Sequence, residues 1–409
     1  MNAWILAMYA AVFLLGVFVL WGDGLFQRIS TVVWSMLLLV LVFLLRYLCL
    51  PHETLDYQNF LAGWVDFFRQ NGGFRALNES VGNYNVPYLY FLALFSYSSL
   101  DDLYLIKLLS ILFDVIMAWG CLRLVGLLTP SVPRRFFAFF GVLLLPTVVL
   151  NGAYWGQCDS IYVAFGIWAI YAALSDKPCR SVVFAALAFS FKLQAVFFLP
   201  AYLVLLFAKK LKVQHLLLFP LTYLLVVLPA VLLGRPLLET LTLYFNQTES
   251  VGSGLNYNSP SVFAFVRGTV DTELYARLGI VAAFLFCAGV FYWAYRARRR
   301  LGREALLGVF LLFFIGVPLL LPHMHDRYFF AADVLSLVLC AVAPGFFPVP
   351  LLCSFASLLG YHAYLRMQFL LPMHYGTMAL IAALILTVIY LCMCLYGQKQ
   401  ARPKQARRT

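Results

Sequence analysis

Two histidines, a carboxylate and a guanidinium fall within five consecutive residues of one short turn. They are His323, His325, Asp326 and Arg327. Apolar runs of membrane length, residues 305–321 and 328–343, flank this turn on both sides. Because ionisable groups are costly in lipid, such a turn belongs at a membrane boundary or in a wet cavity. Its guanidinium suits a phosphate, which it can bind through two parallel hydrogen bonds. An ordinary hydrophilic turn is the alternative interpretation.

The spacing of the two histidines is also compatible with metal binding. A catalytic zinc site has three protein ligands, and Asp326 is the candidate for the third in this turn. Histidines at positions i and i+2 are a weak signal on their own. We therefore predict neither a metal site nor another cofactor, with a divalent ion as the alternative.

A candidate general base lies in the stretch ETLDYQNFLAGWVD, residues 53–66, just after an early apolar run. Asp56 and Tyr57 precede an amphipathic helix that carries Trp64 on its apolar side. A carboxylate beside aromatic side chains at a membrane boundary can accept a proton from a substrate hydroxyl. The alternative is a solvated acid on an interfacial helix.

The turn YWGQCDS, residues 154–160, contains groups that suit a sugar. Trp155 fits either the aromatic belt of a membrane protein or a platform on which a sugar stacks. Gln157 and Asp159 can form hydrogen bonds with hydroxyls. Asp159 is alternatively the N-cap of the following helix, since aspartate is favoured at that position.

A cationic turn, SFKLQ, follows the apolar segment at residues 181–191. That segment is too short to cross a bilayer, so we predict a half-length helix that ends inside the protein. Lys192 and Gln194 lie at its tip. A cation in such a place needs an anion, either a carboxylate or a phosphate of a ligand.

The composition places these turns in a polytopic membrane protein. Of the 409 residues, 64% are hydrophobic and 11% are charged, whereas soluble domains carry about 25% charged residues. Lysine and arginine occur in short runs between apolar segments, as in cytoplasmic loops. The net charge of +12 therefore does not indicate nucleic-acid binding.

The apolar runs predict an all-α integral membrane protein of about thirteen transmembrane helices. They cover residues 3–21, 30–50, 104–126, 136–152, 159–175, 181–191, 194–208, 215–233, 278–296, 305–321, 328–343, 350–366 and 374–396. We interpret the first run as a retained span, not a signal peptide. Residues 1–398 form one domain with outer segments at 51–103 and 234–277, and 399–409 are a basic cytoplasmic tail. The amino terminus and all the turns described above then lie outside.

Both outer segments contain further predicted elements. Residues 86–100 are apolar, but counting them as a span would move the Arg134–Arg135 pair outside, so we predict an interfacial or re-entrant helix. In the second segment, residues 237–245 have an apolar periodicity. Residues 250–261, SVGSGLNYNSPS, are predicted to be flexible.

These pieces together resemble the membrane-embedded GT-C glycosyltransferases that use polyprenyl-phosphate sugars. The likeness is greatest to bacterial Gpi18-like, mannosyltransferase-related proteins and more distant to the endoplasmic-reticulum glucosyltransferases of N-glycan assembly. It rests on LDYQNF (55–60), NYNVPY (83–88), KLLSILFD (107–114), YWGQCDSIY (154–162), FKLQAVFFLP (191–200) and PHMHDRYFF (322–330). Their order and spacing match over roughly residues 50–340, and the span at 3–21 is additional.

The resemblance implies direct, inverting displacement at the anomeric carbon of a donor bound from the outer leaflet. It implies that Asp56 is the base. The residues expected to contact the donor and its phosphate are Arg327, His325, His323, Asp326, Lys192 and Gln194. Those expected to contact the sugar or acceptor are Tyr57, Trp155, Gln157, Asp159 and Tyr88. Where the family commonly has two prolines, this chain has Asn85-Val86-Pro87.

The implied function is transfer of a hexose, mannose or glucose, from a polyprenyl phosphate to a glycan or glycolipid acceptor. A nucleotide-sugar donor would be indicated by a glycine-rich loop beside a strand pattern, and the sequence shows no such loop. The implied location is a bacterial plasma membrane, although sequons at residues 78–80 and 246–248 leave the endoplasmic reticulum as an alternative. A lipid-linked glycan flippase or exporter and a non-catalytic assembly partner are the alternative functions.

Overall fold

The computed structural model describes residues 2–250 and 254–397, with only the backbone described at 245–250. The α-helices, α1 to α17, are Ala3–Gly22, Ile29–Cys49, Ala62–Gln70, Val86–Phe95, Asp102–Leu128, Val132–Leu144, Pro146–Val148, Asp159–Leu174, Pro178–Phe191, Ala201–Phe207, Leu218–Leu232, Leu237–Ser250, Thr272–Arg296, Arg303–Leu320, Phe330–Val342, Pro348–Leu365 and His374–Tyr396. Two strands, β1 (Asn256–Tyr257) and β2 (Met324–His325), pair in parallel. Two π-helical segments are Tyr57–Leu61 and Val149–Trp155. Short 3-10 helices are Gly73–Asn78, Leu193–Phe197, Val213–Leu217, Val262–Phe265 and Pro344–Phe346.

Helices occupy all thirteen segments that the sequence predicts to span the membrane. Within the described residues, eight of these helices are long and apolar enough to cross, and the bent pair Val132–Leu144 and Pro146–Trp155 makes a ninth. The others, including α8, α9 and α15, are shorter apolar helices. The polytopic helical architecture is therefore confirmed, and thirteen crossings remain a prediction.

The centre of the bundle is formed by helices that are apolar on all sides. In both α5 and α14, 83% of the apolar window is buried, whereas α11 and α13 bury only 17% of theirs. A helix that is hydrophobic all round belongs in a core or against lipid. Thus α5 and α14 lie in the core, and α11 and α13 expose most of their apolar surface at the periphery.

Charged side chains gather at both ends of α5. Near its carboxyl end, Asp23 forms ion pairs with Arg123 and Arg135 and accepts a 2.7 Å hydrogen bond from Trp119. These residues come from predicted inner loops and their borders. The candidate site residues contact the amino-terminal half of the same helix. The two groups of polar side chains therefore lie toward opposite ends of α5, and which end faces the outside stays a prediction.

The outer segments differ in part from the sequence prediction. Residues 86–100 contain the short helix α4, and 237–245 lie in α12. The prediction that 250–261 are flexible is wrong for its described part. There β1 pairs with β2, and the Asn256 side chain exchanges two 2.8 Å hydrogen bonds with the Ser259 backbone. The predicted cytoplasmic tail, 399–409, lies outside the described residues.

Candidate active site

Asp56 is a half-buried carboxylate held by three hydrogen-bond donors. Its Oδ2 accepts from Trp155 Nε1 at 2.8 Å and from Gln157 Nε2 at 2.6 Å. Its Oδ1 accepts from the hydroxyl of Tyr364. Two carboxylate oxygens offer about four lone-pair positions. The side-chain partners found in the described part of the chain therefore leave room for a substrate hydroxyl.

The π-helix Val149–Trp155 places two of these donors. It ends at Gly156, whose φ of +83° is left-handed and disfavours any side chain. The chain then closes back with a 2.9 Å hydrogen bond from Gln157 N to Asn151 O. This tight ending turns the Trp155 and Gln157 side chains toward the same carboxylate.

Trp155 is fully buried, which contradicts both the aromatic-belt interpretation and an exposed platform on which a sugar stacks. Its ring stacks on Tyr364 with centroids 4.7 Å apart and meets Tyr361 edge-on at 5.4 Å. The guanidinium carbon of Arg327 lies over the same ring, 5.4 Å from its centroid. One indole thus touches both Asp56 and the principal cation of the site.

Asp159 connects two cations to each other. It is the first residue of α8, and Cys158 occupies the N-cap position, so the N-cap alternative for Asp159 is wrong. Its Oδ1 accepts a hydrogen bond from Lys192 Nζ, and its Oδ2 accepts from Asn151 at 2.8 Å. Arg327 Nε lies 3.8 Å from Oδ2. The anion partner of Lys192 in this structure is therefore a carboxylate.

Lys192 lies where the sequence predicts it, at the end of α9, a helix of 14 residues. Its backbone is extended there, with φ of −153°, before the 3-10 helix Leu193–Phe197 begins. The ammonium also lies 5.7 Å from the centroid of the Tyr84 ring. Gln194, one turn further, is buried. The helix break therefore keeps a cation next to Asp159.

Arg327 keeps much of its hydrogen-bonding capacity. Its Nη1 lies 3.5 Å from Asp326 Oδ1, and its contact with Asp159 is longer still. A guanidinium has five N–H donors. Its Nε is buried and has no hydrogen-bond partner within the described residues. The group is therefore held electrostatically and retains donors for an anionic ligand.

The neighbours of Arg327 have strongly shifted pKa values. Burial raises the pKa of Asp326 to about 7, against the opposing effect of Arg327. Burial, together with the charges of Arg327 and Lys192, lowers the pKa of His325 to about 4. At neutral pH the imidazole is therefore uncharged, and the carboxyl is close to its titration midpoint.

The strand pair orients both histidines. His325 stacks on Tyr257 of β1 with ring centroids 4.8 Å apart. His323 has a left-handed φ of 60°, and its Nδ1 lies 2.7 Å from Gly254 O. Within residues 2–250 and 254–397, no three His, Cys, Asp or Glu side chains are arranged to hold a metal ion.

Two predicted site residues lie outside the hydrogen-bond network of Asp56. Tyr57 is half-buried at the start of the π-helix Tyr57–Leu61. Tyr88 is 1% exposed in an apolar cluster under α3 and α4. It packs against Tyr84, whose ring centroid is 4.7 Å away and whose hydroxyl donates to Gln157 Oε1 at 3.2 Å.

Sequence reasoning missed several residues of the site. Tyr361 and Tyr364 lie near the carboxyl end of α16, and Asn151 lies inside the π-helix. Asn151 Nδ2 donates to the Tyr361 hydroxyl at 3.0 Å. The sequence contained one signal for the two tyrosines. Tyr361 and Tyr364 are three residues apart, so they share one helix face at the predicted outer end of an apolar span.

Comparison with known proteins identifies the fold. No protein-family model matches the sequence, and no curated protein matches it. Among solved structures, the chain is similar to the crystal structure of ArnT from Cupriavidus metallidurans bound to undecaprenyl phosphate. The TM-score is 0.53 at 13% sequence identity, over 89% of this chain and 78% of that chain. The protein therefore has a GT-C-type polytopic helical fold.

Proposed function

We propose that the protein is a glycosyltransferase that moves a hexose from a polyprenyl-phosphate donor to a glycan or glycolipid at the outer face of a membrane. One observation carries the proposal. Trp155 donates to the Asp56 carboxylate, and its ring also lies under the Arg327 guanidinium. The proposed proton acceptor and the proposed phosphate-binding cation therefore both contact one rigid side chain.

The proposed reaction is a single displacement. The acceptor hydroxyl oxygen attacks the anomeric carbon of the donor while Asp56 takes its proton. The bond from the anomeric carbon to the phosphate oxygen breaks, and its electrons leave with polyprenyl phosphate. Attack from the face opposite the leaving group inverts the configuration at that carbon.

The charges of the site favour the leaving phosphate. Lys192 and Arg327 are two cations around one fully buried carboxylate, Asp159. Asp326 is half neutralised near pH 7 because burial raises its pKa to about 7. The group therefore has a net positive charge where negative charge develops on the donor phosphate, and such preorganised charge lowers the barrier.

The fold supports a lipid-linked donor. ArnT, which shares this fold, was solved with undecaprenyl phosphate. We extend that ligand class to this chain and propose a bacterial plasma membrane with the site facing outside. Mannose or glucose as the sugar is proposed from the sequence resemblance. His323, His325 and Gln194 are proposed to surround the donor, while Tyr57 and Tyr88 are proposed on the acceptor side.

The decisive experiment compares Asp56→Asn with wild-type protein purified in detergent. Transfer of a labelled hexose from a short-chain polyprenyl phosphate is measured together with binding of the donor. We expect turnover to fall by about a thousandfold with donor affinity retained, since a general base contributes roughly 10²–10⁴-fold.

Asp66→Asn is the matched control, because Asp66 is an exposed acid of the same outer segment that pairs with Arg69. Unchanged turnover in Asp56→Asn would contradict the proposal. The flippase alternative predicts movement of labelled donor across proteoliposomes with no release of free polyprenyl phosphate.

A further inference from the structure

Three buried polar side chains form one stripe along the core helix α5. They are Lys107, Ser110 and Asp114, which are 0%, 1% and 0% exposed. Spacings of three and four residues place them on one helix face. Charged groups inside an apolar membrane helix are costly and call for a specific role. The stripe lies within KLLSILFD, residues 107–114, to which the proposed reaction assigns no role.

Lys107 is paired with backbone carbonyls and not with an acid. Its Nζ donates to the carbonyls of Cys49, Leu50 and His52 at 2.9, 3.1 and 2.5 Å. These contacts use all three protons of the ammonium group. The last carbonyls of a helix lack intrahelical donors and carry the negative end of its dipole. Lys107 therefore fixes the end of α2 and the chain that follows it as far as His52, four residues before Asp56.

The same face of α5 also holds the turn that supplies donors to Asp56. Ser110 Oγ donates to Gln157 O at 2.7 Å. A Cβ placed on Gly156 would lie 3.9 Å from Lys107 Cε, so this turn packs over the lysine side chain. Below them, Asp114 accepts from Arg46 of α2, and both side chains are fully buried. Helix α5 therefore anchors both the segment that precedes Asp56 and the Gly156–Gln157 turn, whose Gln157 side chain donates to Asp56.

A direct bond joins the two anchored segments. Thr54 is 6% exposed, and its Oγ1 donates to Trp155 O at 2.9 Å. Trp155 in turn donates through its side chain to Asp56. These contacts form a closed ring around the Asp56 carboxylate. The ring runs from Lys107 to the His52 carbonyl, through Thr54 to Trp155, and back through Gly156 to Lys107.

We propose that Lys107 is a positioning residue for Asp56. This role rests on the proposed function of Asp56 as the base. A misplacement of about 1 Å at a reacting group can lower a rate by about 10²-fold. Lys192 pairs with Asp159, and Arg327 lies near Asp159 and Asp326, so loss of Lys107 leaves these carboxylate contacts of the donor-binding cations in place.

The test uses Lys107→Met and Lys107→Arg in the full-length protein. For Lys107→Met we expect a fall in kcat of about 10²-fold, with the KM and Kd for the lipid-phosphate sugar changed less than twofold. Lys107→Arg keeps a cation with several donors, and we expect it to recover at least a tenth of the wild-type kcat. In an Asp56→Asn background, Lys107→Met is expected to cause no further loss.

Asp23→Asn is the matched control, since it removes buried polar contacts at the opposite end of the bundle. A purely structural role for Lys107 predicts that both variants lose stability, donor binding and kcat in parallel, and this result would overturn the proposal. Turnover retained in Asp56→Asn overturns the base assignment as well. Turnover lost in Asp56→Asn but retained in Lys107→Met overturns the positioning role alone.

Thr54→Val keeps the test decisive if Lys107→Met does not fold. It removes only the hydroxyl that bonds Trp155 O. We expect the same pattern at smaller size, a roughly fivefold fall in kcat with unchanged donor affinity, because one hydrogen bond of this kind contributes about 1 kcal/mol. Wild-type kcat in Thr54→Val would contradict the closed ring of contacts.

Discussion

Asp56 and Trp155 are 99 residues apart in sequence, and the Trp155 indole nitrogen donates a 2.8 Å hydrogen bond to the Asp56 carboxylate. The same indole lies under Arg327 and against Tyr364. A single rigid side chain therefore relates the proposed base to the proposed phosphate-binding group. Single substitutions can remove each of these contacts separately.

Trp155→Phe removes the N–H donor and keeps most of the aromatic ring. A hydrogen bond to a charged group contributes roughly 1.5–3 kcal/mol, so we expect turnover to fall about tenfold or more at saturating donor. Trp168→Phe is the control, because Trp168 donates to Ile116 O away from the site. Equal turnover in the two variants would show that the indole N–H does not hold Asp56.

Tyr364→Phe tests the contribution of the hydroxyl separately from that of the stacked ring. The variant loses the donor to Asp56 Oδ1 and keeps the ring that packs on Trp155. We expect kcat to fall about tenfold, while the Kd of the donor sugar-lipid is unchanged. Tyr9→Phe, which loses a hydroxyl contact between the first two helices, should retain full activity. A larger effect on Kd than on kcat would place Tyr364 in donor binding instead.

Lys192→Met leaves the Asp159 carboxylate buried beside fewer cations. Removing one partner of a buried ion pair costs roughly 3–5 kcal/mol, so we expect a large fall in the free energy of unfolding. The double variant Lys192→Met with Asp159→Asn should regain most of that stability but not donor affinity. Thermal unfolding in detergent and donor binding measure the two effects separately. Additive stability losses would contradict a coupled pair.

The titration of Asp326 predicts a pH dependence of folding. Burial raises its pKa from 3.8 to about 7. Between these values the folded protein keeps a proton that the unfolded chain has lost, so this group's stabilisation decreases as pH rises through that window. It is fully present below pH 3.8 and is lost above about pH 7. Asp326→Asn should remove this contribution in pH-dependent unfolding measurements.

The titration of Asp326 also predicts how donor binding depends on pH. Loss of the proton adds a negative charge beside Arg327, so donor affinity should weaken as pH rises through about 7. In Asp326→Asn the decline should disappear. His325 should contribute nothing over this range, because its pKa is about 4. A decline that persists unchanged in Asp326→Asn would assign it to another group.

The sequence predicted the helical segments and the main polar turns because both have local signals. Apolar runs are visible without tertiary information, and Lys192 follows a segment too short to cross lipid. The meeting of Asp159, Lys192 and Arg327 followed from placing all three turns at one membrane face. Their contacts in the structure agree with that placement.

What the sequence did not predict depends on packing between distant elements. Tyr364 contacts Asp56 across 308 residues, and the local pattern of α16 indicates a polar helix end but not this partner. The pairing of β1 with β2 involves two residues on each strand, too few to produce an alternating pattern. The alternative interpretation of Asp159 as an N-cap differs from the structure by one residue, since Cys158 is the N-cap, and helix boundaries often shift by that much.

The π-helix Val149–Trp155 has a consequence for how this site tolerates change during evolution. A π-turn contains an extra residue relative to an α-helix, and removing one residue would restore the α-helical repeat. Each residue of an α-helix turns the chain by about 100°, so Trp155 would swing away from Asp56 although no side chain had been replaced. We therefore expect homologues to vary at the partly buried Val149 and Leu150 while Trp155 and the length of the segment stay fixed. A deletion scan should find it far less tolerant than the neighbouring helix α6.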